Sequence, residues 1–275
     1  FFSIVYIFKR TYMSESKPVP DTLQKKNPHE RDDHITFDEG PHIYTIDGDS
    51  SFMSCTTWIH SHFSHFNPDE ILDKIFNSGK INNPSYKYYG MTREEIKIQW
   101  TSNEASLMGT ALHYDIECYY NDWKVENSSI EYQYFLKFAE DYKNLKAYRT
   151  EWMVYDKELK LAGSIDMVFQ DENQDFWIYD WKRSKEINTE AYGGKHSSTK
   201  CISHIPDVNF YHYALQLNVY RTILEEKYGK NIKGMCLVRL HPNNYFHTYE
   251  RIEVPFMTKE VQALFQHRRE QIKQH

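Results

Sequence analysis

Strand-like and helix-like segments alternate in the C-terminal two thirds of this 275-residue chain, and this pattern predicts a single α/β domain. Three consecutive strand-like segments lie between two helix-like segments within residues 129–228, and two more strands and a helix follow them. Hydrophobic residues make up 40% of the chain, with 22 Tyr, 16 Phe and 6 Trp, which is enough for a sizeable core. Ahead of this core, residues 35–102 predict an N-terminal extension made of a hairpin and helices.

Residues 1–34 are predicted to be a disordered leader. The stretch 13–33 is rich in Lys, Pro, Asp and Glu and has little apolar content. The chain starts without methionine, so we expect Met13 to be the natural start and residues 1–12 to be non-native. The apolar run Phe1–Phe8 is too short to cross a bilayer and has no basic segment before it. Because no other segment approaches transmembrane length, we expect a soluble protein that does not act at a membrane.

The predicted extension has five parts. Residues 35–46 contain two short β-type runs and predict a hairpin, and residues 54–66 predict a helix whose histidines (His60, His62 and His65) lie at the surface. Asn67 has the position of a helix N-cap, and Asn, Pro, Ser and Gly mark residues 82–90 as a loop. Thr92 and Glu95 have the spacing of a capping box at the start of another helix.

The core is predicted over residues 103–275, and its elements follow from the period of the apolar residues and from Gly, Pro and Asn punctuation. We expect helices at about 103–120, 129–145 and 210–228 and from 258 onward, and strands at about 150–155, 161–169, 176–182, 233–240 and 248–254. A long polar loop over residues 184–207 connects the third of these strands to the third helix.

Two aspartates lie symmetrically about the centre of the predicted hairpin formed by residues 161–169 and 176–182. Asp166 and Asp180 are equally distant in sequence from Asn173, which lies in the polar turn. A hairpin folded at that residue places the two carboxylates opposite each other, with Cβ atoms about 5 Å apart. Lys182 follows Asp180 by two positions, so strand alternation puts its amine on the same face. The pattern predicts a divalent-metal site that hydrolyses phosphodiester bonds.

The chemistry of this site needs metal ligands and a positive charge beside them. Asp166 and Asp180 lie in apolar surroundings, where carboxylates are usually paired or metal-bound, and the alternative is an ion-pair ladder on the surface of the hairpin. A backbone carbonyl near Trp181 would offer a further oxygen ligand. Lys182 would orient the attacking water or stabilise transition-state charge, and the sequence leaves its protonation open. His113 and Glu117 share one helical face, and an imidazole ligand favours Mn²⁺ over Mg²⁺.

Four short motifs in this order resemble those of the PD-(D/E)XK nuclease superfamily, and of its RecB-like branch in particular. They are Gly109 with His113, Gly163 with Asp166, Asp180-Trp181-Lys182, and Gln216 with Tyr220. The branch includes the mitochondrial genome-maintenance exonuclease and relatives in large DNA viruses and phages. The resemblance implies a restriction-endonuclease-like core with a mixed central sheet flanked by helices.

The resemblance also implies roles for individual residues. His113, Asp166 and Asp180 would be metal ligands for one or two Mg²⁺ or Mn²⁺ ions, and Lys182 would be the catalytic lysine. Gln216 and Tyr220 would face the site from the following helix, where they contact the substrate backbone or order the lysine. Glu117 would assist from the first helix, and Glu151 is either a further site residue or an ordinary strand-end carboxylate. The four cysteines are scattered and form no Cys-x-x-Cys pair, so we expect reduced thiols of an intracellular protein and no iron–sulfur cluster.

The substrate predicted from these features is DNA. The net charge of −6 does not exclude it, because a catalytic groove needs only local positive charge. Arg183, Lys185 and Lys195 follow the catalytic strand and are predicted to contact phosphates. The expected activity is that of an exonuclease, or of an enzyme that processes ends or single strands, in DNA replication, repair or recombination. Two alternatives stay open, an RNA endonuclease of the same superfamily and a catalytically inert nucleic-acid-binding module.

Overall fold

The protein is described by a computed structural model that covers residues 18–64, 67–101 and 104–274. Within these residues the helices are α1 (Thr22–Lys26), α2 (Cys55–His60), α3 (Pro68–Asn77), α4 (Arg93–Thr101), α5 (Glu104–Tyr120), α6 (Ile130–Asp141), α7 (Asn209–Tyr228) and α8 (Thr258–Gln274). The strands are β1 (Ile35–Asp38), β2 (Ile43–Ile46), β3 (Met53–Ser54), β4 (Lys146–Asp156), β5 (Leu161–Gln170), β6 (Phe176–Lys182), β7 (Ile232–Arg239) and β8 (Glu250–Val254).

A six-stranded mixed sheet forms the centre of the molecule. Its strand order is β3-β5-β6-β7-β8, and β4 pairs with β5. The pairs β3–β5 and β6–β7 are parallel, and the pairs β4–β5, β5–β6 and β7–β8 are antiparallel. One core cluster packs sheet residues against α2, α7 and α8, and a second packs them against α5 and α6. The predicted α/β class, with a mixed sheet flanked by helices, is confirmed.

The β5–β6 hairpin has the register that the sequence predicts. Met167 pairs with Tyr179 and Gln170 pairs with Phe176, so the hairpin is centred on Asn173. The turn is held by Asp171, whose Oδ1 accepts hydrogen bonds from the backbone N–H groups of Asn173 at 2.9 Å and Asp175 at 3.0 Å. This register brings the sequence around Asp166 alongside the end of β6.

Residues 18–34 were expected to belong to a disordered leader, but the structure packs them against the core. The backbone N–H of Leu23, a buried residue of α1, donates to the Asn121 Oδ1 at 2.9 Å. Asp32 accepts hydrogen bonds from Arg149 at 2.7 Å and from the Trp152 indole at 3.0 Å. These contacts supply the hydrophobic and polar partners that the composition of the segment alone does not reveal. The remainder of the predicted leader, residues 1–17, lies outside the described residues.

The N-terminal extension follows its predicted pattern with two differences. β1 and β2 form the expected antiparallel hairpin. The predicted capping box is present, since the Thr92 backbone N–H donates to the Glu95 carboxylate at 2.7 Å and the Glu95 N–H donates to the Thr92 hydroxyl at 3.3 Å. His62 was expected at the surface but is buried, and its Nδ1 lies 2.9 Å from the Thr199 hydroxyl. α2 ends at His60, before the predicted end at residue 66, so His62 follows the helix and is covered by the loop over residues 184–207. His65 lies outside the described residues.

Across residues 18–64, 67–101 and 104–274, the structure contains no helix whose length and apolar character would allow it to cross a membrane.

Candidate active site

The candidate site lies where β5 changes neighbours in the sheet. β4 runs along one edge of β5, while the other edge pairs with β3 at Leu161 and Ala162 and with β6 from Met167 onward. Asp166 lies in the interval between these two neighbours. Its Oδ2 accepts a hydrogen bond from the backbone N–H of Trp181 at 2.9 Å. The carboxylate thus occupies the position at which β6 separates from β5.

Three potential metal ligands converge on this position. His113 from α5, Glu151 from β4 and Asp166 from β5 each offer a ligand atom, and these atoms all lie within 4.8 Å of one another. The His113 Nε2 lies 2.8 Å from the carbonyl oxygen of Trp181, to which it donates. The Nδ1 faces the Asp166 Oδ2 at 3.4 Å. In the neutral tautomer the Nδ1 lone pair is therefore directed toward the carboxylates, as in a metal-binding histidine whose other nitrogen is held by a carbonyl.

The backbone of Glu151 has an uncommon conformation for a strand residue. Its φ is +41°, in a region that costs a non-glycine residue about 1–3 kcal/mol. The flanking ladder pairs, Thr150 with Met167 and Trp152 with Ile165, place Glu151 opposite Asp166. Its Oε2 accepts a hydrogen bond from the Ser164 hydroxyl at 2.7 Å. The strain occurs at the residue whose carboxylate joins the group of three, which is the kind of position where strain is retained for function.

The electrostatics of the site favour a bound cation. Burial, together with the negative charge of Asp166, raises the pKa of Glu151 to about 8. Burial also raises the pKa of Glu117, which is one turn beyond His113 on α5, to about 7. Carboxyl groups hold their protons this strongly when too little positive charge surrounds them. A divalent cation would supply that charge, and one imidazole with two carboxylates is a donor set that fits such an ion.

Asp180 and Lys182 form an ion pair next to this group. The Lys182 Nζ lies 2.6 Å from the Asp180 Oδ2, which confirms that the two side chains share one face of β6. Burial raises the pKa of Asp180 to about 6 although the ammonium opposes it. Burial lowers the pKa of Lys182, but the charges of Asp180 and Asp166 outweigh it and the pKa is about 12. Lys182 is therefore an ammonium group at neutral pH.

Tyr213 is a neighbour of this lysine that the sequence analysis missed. The Lys182 Nζ lies 4.5 Å from the centroid of the Tyr213 ring, in a cation–π contact. Tyr213 precedes Gln216 by three residues on α7, so it shares the face that carries Gln216 and Tyr220 toward the sheet. That spacing was the available signal.

Gly163 is explained by the packing of Tyr220. A Cβ atom on Gly163 would lie 2.6 Å from the Tyr220 hydroxyl oxygen and 2.7 Å from its Cε1, well inside van der Waals contact. The Tyr220 hydroxyl lies 3.2 Å from the Gln216 Nε2, and that amide also donates to the Thr56 hydroxyl at 3.2 Å. The Gly163 and Gln216–Tyr220 motifs are thus two sides of one contact between β5 and α7.

The predicted ligand residues are distributed over two neighbouring groups. His113 and Asp166 lie together, with Glu151 as their third member. Asp180 is outside that group of three and is paired with Lys182. The Trp181 carbonyl, which the sequence suggested as an oxygen ligand, accepts the His113 Nε2 hydrogen bond. The carbonyl instead fixes the orientation of a candidate ligand.

The predicted phosphate-binding cations differ in their surroundings. Arg183 forms a buried ion pair with Glu131 of α6 at 2.7 Å, with side chains 12% and 8% exposed respectively. This partner leaves Arg183 little surface to offer a phosphate, and no local sequence pattern indicates the pairing. Lys185 and Lys195 are exposed. They remain candidates for a nucleic-acid contact.

Comparisons with known proteins leave the family of the chain open. No family model and no curated protein matches it. The crystal structure of SSO0001 is similar with a TM-score of 0.37 and 10% identity, covering 99% of this chain and 88% of that one. A crystal structure named "Putative exonuclease" from Eubacterium rectale is similar with a TM-score of 0.39 and 12% identity, covering 82% of this chain and 79% of that one. Both TM-scores are below 0.5, so the functional conclusion depends on the site itself.

Proposed function

We propose that this protein is a metal-dependent nuclease that hydrolyses DNA phosphodiester bonds and has a PD-(D/E)XK core of the RecB-like branch. One observation carries the proposal. A histidine and two carboxylates from three different elements converge within 4.8 Å of one another, beside a strand that ends in the Asp180–Lys182 pair. Oxygen and imidazole ligands next to a fixed ammonium are what phosphoryl transfer requires.

His113, Glu151 and Asp166 would hold the cation, and Asp180 would join them or position the lysine. A bound Mg²⁺ or Mn²⁺ supplies positive charge to a phosphate oxygen and lowers the pKa of water. The strained Glu151 backbone and the carbonyl-bound His113 keep two of the ligands in place before any ion arrives. This preorganisation reduces the cost of assembling the site.

Lys182 would stabilise the negative charge that develops on the phosphate. Without a bound cation its pKa is about 12, so it carries a proton at neutral pH, and we assign it the role of a charge stabiliser. The pKa of Glu117 is about 7, which suits transfer of a proton from the attacking water. Gln216 and Tyr220, held to Gly163 and Thr56, would form the wall of the site that faces the substrate backbone.

DNA is the proposed substrate because the lysine follows the second acidic residue by two positions. In the RNA endonucleases of the superfamily the lysine lies much farther along the chain, whereas here Asp180 and Lys182 are in contact at 2.6 Å. We further propose that the enzyme acts on DNA ends or single strands, as an exonuclease in replication, repair or recombination.

Digestion of matched substrates tests this proposal. Purified protein is incubated with linear duplex DNA, single-stranded DNA, circular DNA and RNA, in Mn²⁺ or Mg²⁺ and in excess chelator. Cleavage of linear DNA that stops in chelator is expected, and the Lys182→Ala variant is expected to be inactive. Lys143→Ala is the control, because Lys143 is exposed and its ion pair is with Glu140, three residues before it.

Three results would contradict parts of the proposal. Equal activity of the wild type and Lys182→Ala would refute the site. Cleavage that persists in chelator would refute the metal requirement. Degradation of circular DNA would refute a strict requirement for ends, and selective cleavage of RNA would refute the assignment of the substrate.

A further inference from the structure

The connection between β7 and β8 carries two highly exposed aromatic side chains. Tyr245 is 84% exposed and Phe246 is 83% exposed, which makes them the most exposed large hydrophobic residues among those the structure describes. Their ring centroids lie 5.0 Å apart with an interplanar angle of 86°. Adjacent apolar rings at such exposure are uncommon on a monomeric protein surface unless they contact a partner.

The backbone of this connection, residues 240–249, is held rigidly. Asn244 is buried, and its side-chain amide donates to the Arg239 carbonyl at 2.9 Å and to the Thr248 carbonyl at 2.8 Å. The Asn244 backbone N–H donates to the His241 carbonyl at 2.9 Å, and the His247 N–H donates to the Asn244 carbonyl at 3.0 Å. The two rings therefore extend from a preformed turn, which lowers the entropic cost of binding.

This aromatic turn begins directly beside the proposed catalytic strand. The Leu240 backbone N–H donates to the Lys182 carbonyl at 2.8 Å. The five Cα–Cα steps from Leu240 to Tyr245 span at most about 18 Å. Stacked bases of one strand are about 3.4 Å apart, so that distance corresponds to roughly five nucleotides or fewer. A strand that runs from the site toward the turn would therefore reach the rings within about five nucleotides.

An exposed positive charge follows the catalytic strand near the base of this turn. The Arg239 Nη1 donates to the Lys185 carbonyl at 2.5 Å and so fixes the segment after β6 against the base of the turn. The Lys185 side chain is exposed and available to a phosphate. Aromatic rings beside an exposed cation are the combination that binds single strands without sequence preference.

We infer that Tyr245 and Phe246 form a stacking platform for unpaired bases of a DNA strand whose backbone is held at the candidate active site. The inference rests on the proposed function, since it takes the strand at Lys182 as given. It adds a specificity for unpaired bases, because rings on a rigid turn can stack only on bases that are not already paired in a duplex.

Binding of labelled oligonucleotides tests the inference. Fluorescence anisotropy of the full chain in chelator is measured with an oligothymidylate about 15 nucleotides long, near the upper end of site sizes for single-strand binding folds. The double variant Tyr245→Ala/Phe246→Ala is expected to bind at least tenfold more weakly than the wild type, equivalent to about 1.4 kcal/mol. An abasic oligonucleotide of equal length and charge is expected to bind both proteins equally.

Two control variants keep the result specific. Tyr245→Phe/Phe246→Tyr retains both rings and is expected to bind as the wild type does. Phe256→Ala removes a ring that is 52% exposed just after β8, beyond the end of the β7–β8 pair where Met235 meets Val254. Since the aromatic turn is at the opposite end of that pair, this substitution is expected to leave binding unchanged.

Equal affinity of the wild type and the double alanine variant for the oligothymidylate would overturn the inference. It would also be overturned if the double alanine variant lost as much affinity for the abasic oligonucleotide as for the oligothymidylate. A double alanine variant that changes from dimer to monomer in sedimentation without a change in DNA binding would overturn it as well. The outcome is separable from that of the proposed function. If binding depends on the two rings but no DNA is cleaved, the nuclease proposal is refuted and the stacking platform is supported. If DNA is cleaved but binding is the same with and without the rings, the platform is refuted and the nuclease proposal is supported.

Discussion

Replacing Gly163 by alanine tests the packing that connects the site strand to α7. The new methyl carbon would lie 2.6 Å from the Tyr220 hydroxyl oxygen, 2.7 Å from its Cε1 and 3.0 Å from its Cζ. Tyr220 is only 3% exposed, so its ring must displace neighbouring side chains if it is to move away from the new methyl group. Overpacking of this kind typically costs about 1–3 kcal/mol. We expect Gly163→Ala to lower the free energy of unfolding by about 2 kcal/mol.

Urea denaturation at neutral pH measures this change. With a slope of about 2 kcal/mol per molar urea, the midpoint is expected to fall by roughly 1 M. Gly109→Ala is the matched control, because a Cβ atom on this helical glycine meets nothing within 4 Å. Alanine is favoured over glycine inside a helix by about 0.5–1 kcal/mol, so Gly109→Ala is expected to stabilise the protein.

The two glycines belong to the same set of sequence motifs, yet the structure predicts opposite signs for their substitution. If Gly163→Ala is as stable as the wild type, Tyr220 does not occupy the space above this glycine and the reasoning fails. On a Tyr220→Ala background the penalty of Gly163→Ala is expected to disappear, since the atoms that it meets are gone.

Three further predictions concern charges near the site. The pKa of Glu117 is raised from 4.5 to about 7, so stability is lost as pH rises through this interval. In urea titrations without metal, the free energy of unfolding of Glu117→Gln should exceed that of the wild type by up to about 3 kcal/mol above pH ~7. A variant whose stability depends on pH as the wild type's does would contradict this. Tyr213→Leu removes the ring beside Lys182 and should slow cleavage about fivefold, whereas equal rates for Tyr213→Leu and Tyr213→Phe would exclude the cation–π contact. Arg183→Gln should lower the free energy of unfolding by about 3 kcal/mol. Lys185→Gln should leave stability unchanged and reduce the dependence of single-strand binding on salt, the slope of log K against log salt concentration, by about 0.7. The reverse pattern would make Arg183 the phosphate ligand.

The sequence was most informative where a local pattern has one structural solution. The symmetric position of Asp166 and Asp180 about Asn173 predicted the register of the β5–β6 hairpin, because a tight polar turn leaves few other pairings. The Thr92–Glu95 spacing predicted a capping box for the same reason. Residues two apart on a strand share a face, which is why Lys182 was expected beside Asp180.

The sequence was less informative where the partner is distant along the chain. Glu151 could have been a strand-end carboxylate, and only the pairing of β4 with β5 places it opposite Asp166. The position of Arg183 after the catalytic strand predicts a phosphate ligand, but its buried partner Glu131 lies on another element and cannot be recognised from the local sequence. The polar composition of residues 18–34 concealed contacts to Asn121 and Arg149 that are made about 100 residues away. Such pairings depend on tertiary structure and leave no local signal.

Calorimetric titration with Mn²⁺ is the most direct test of the central claim, that His113, Glu151 and Asp166 form a divalent-metal site. The wild type is expected to bind Mn²⁺, and Asp166→Asn and Glu151→Gln are each expected to weaken that binding at least tenfold, or about 1.4 kcal/mol. Glu172→Gln, which removes an exposed carboxylate from the turn of the same hairpin, is expected to bind as the wild type does. Wild-type affinity in both Asp166→Asn and Glu151→Gln would contradict the claim.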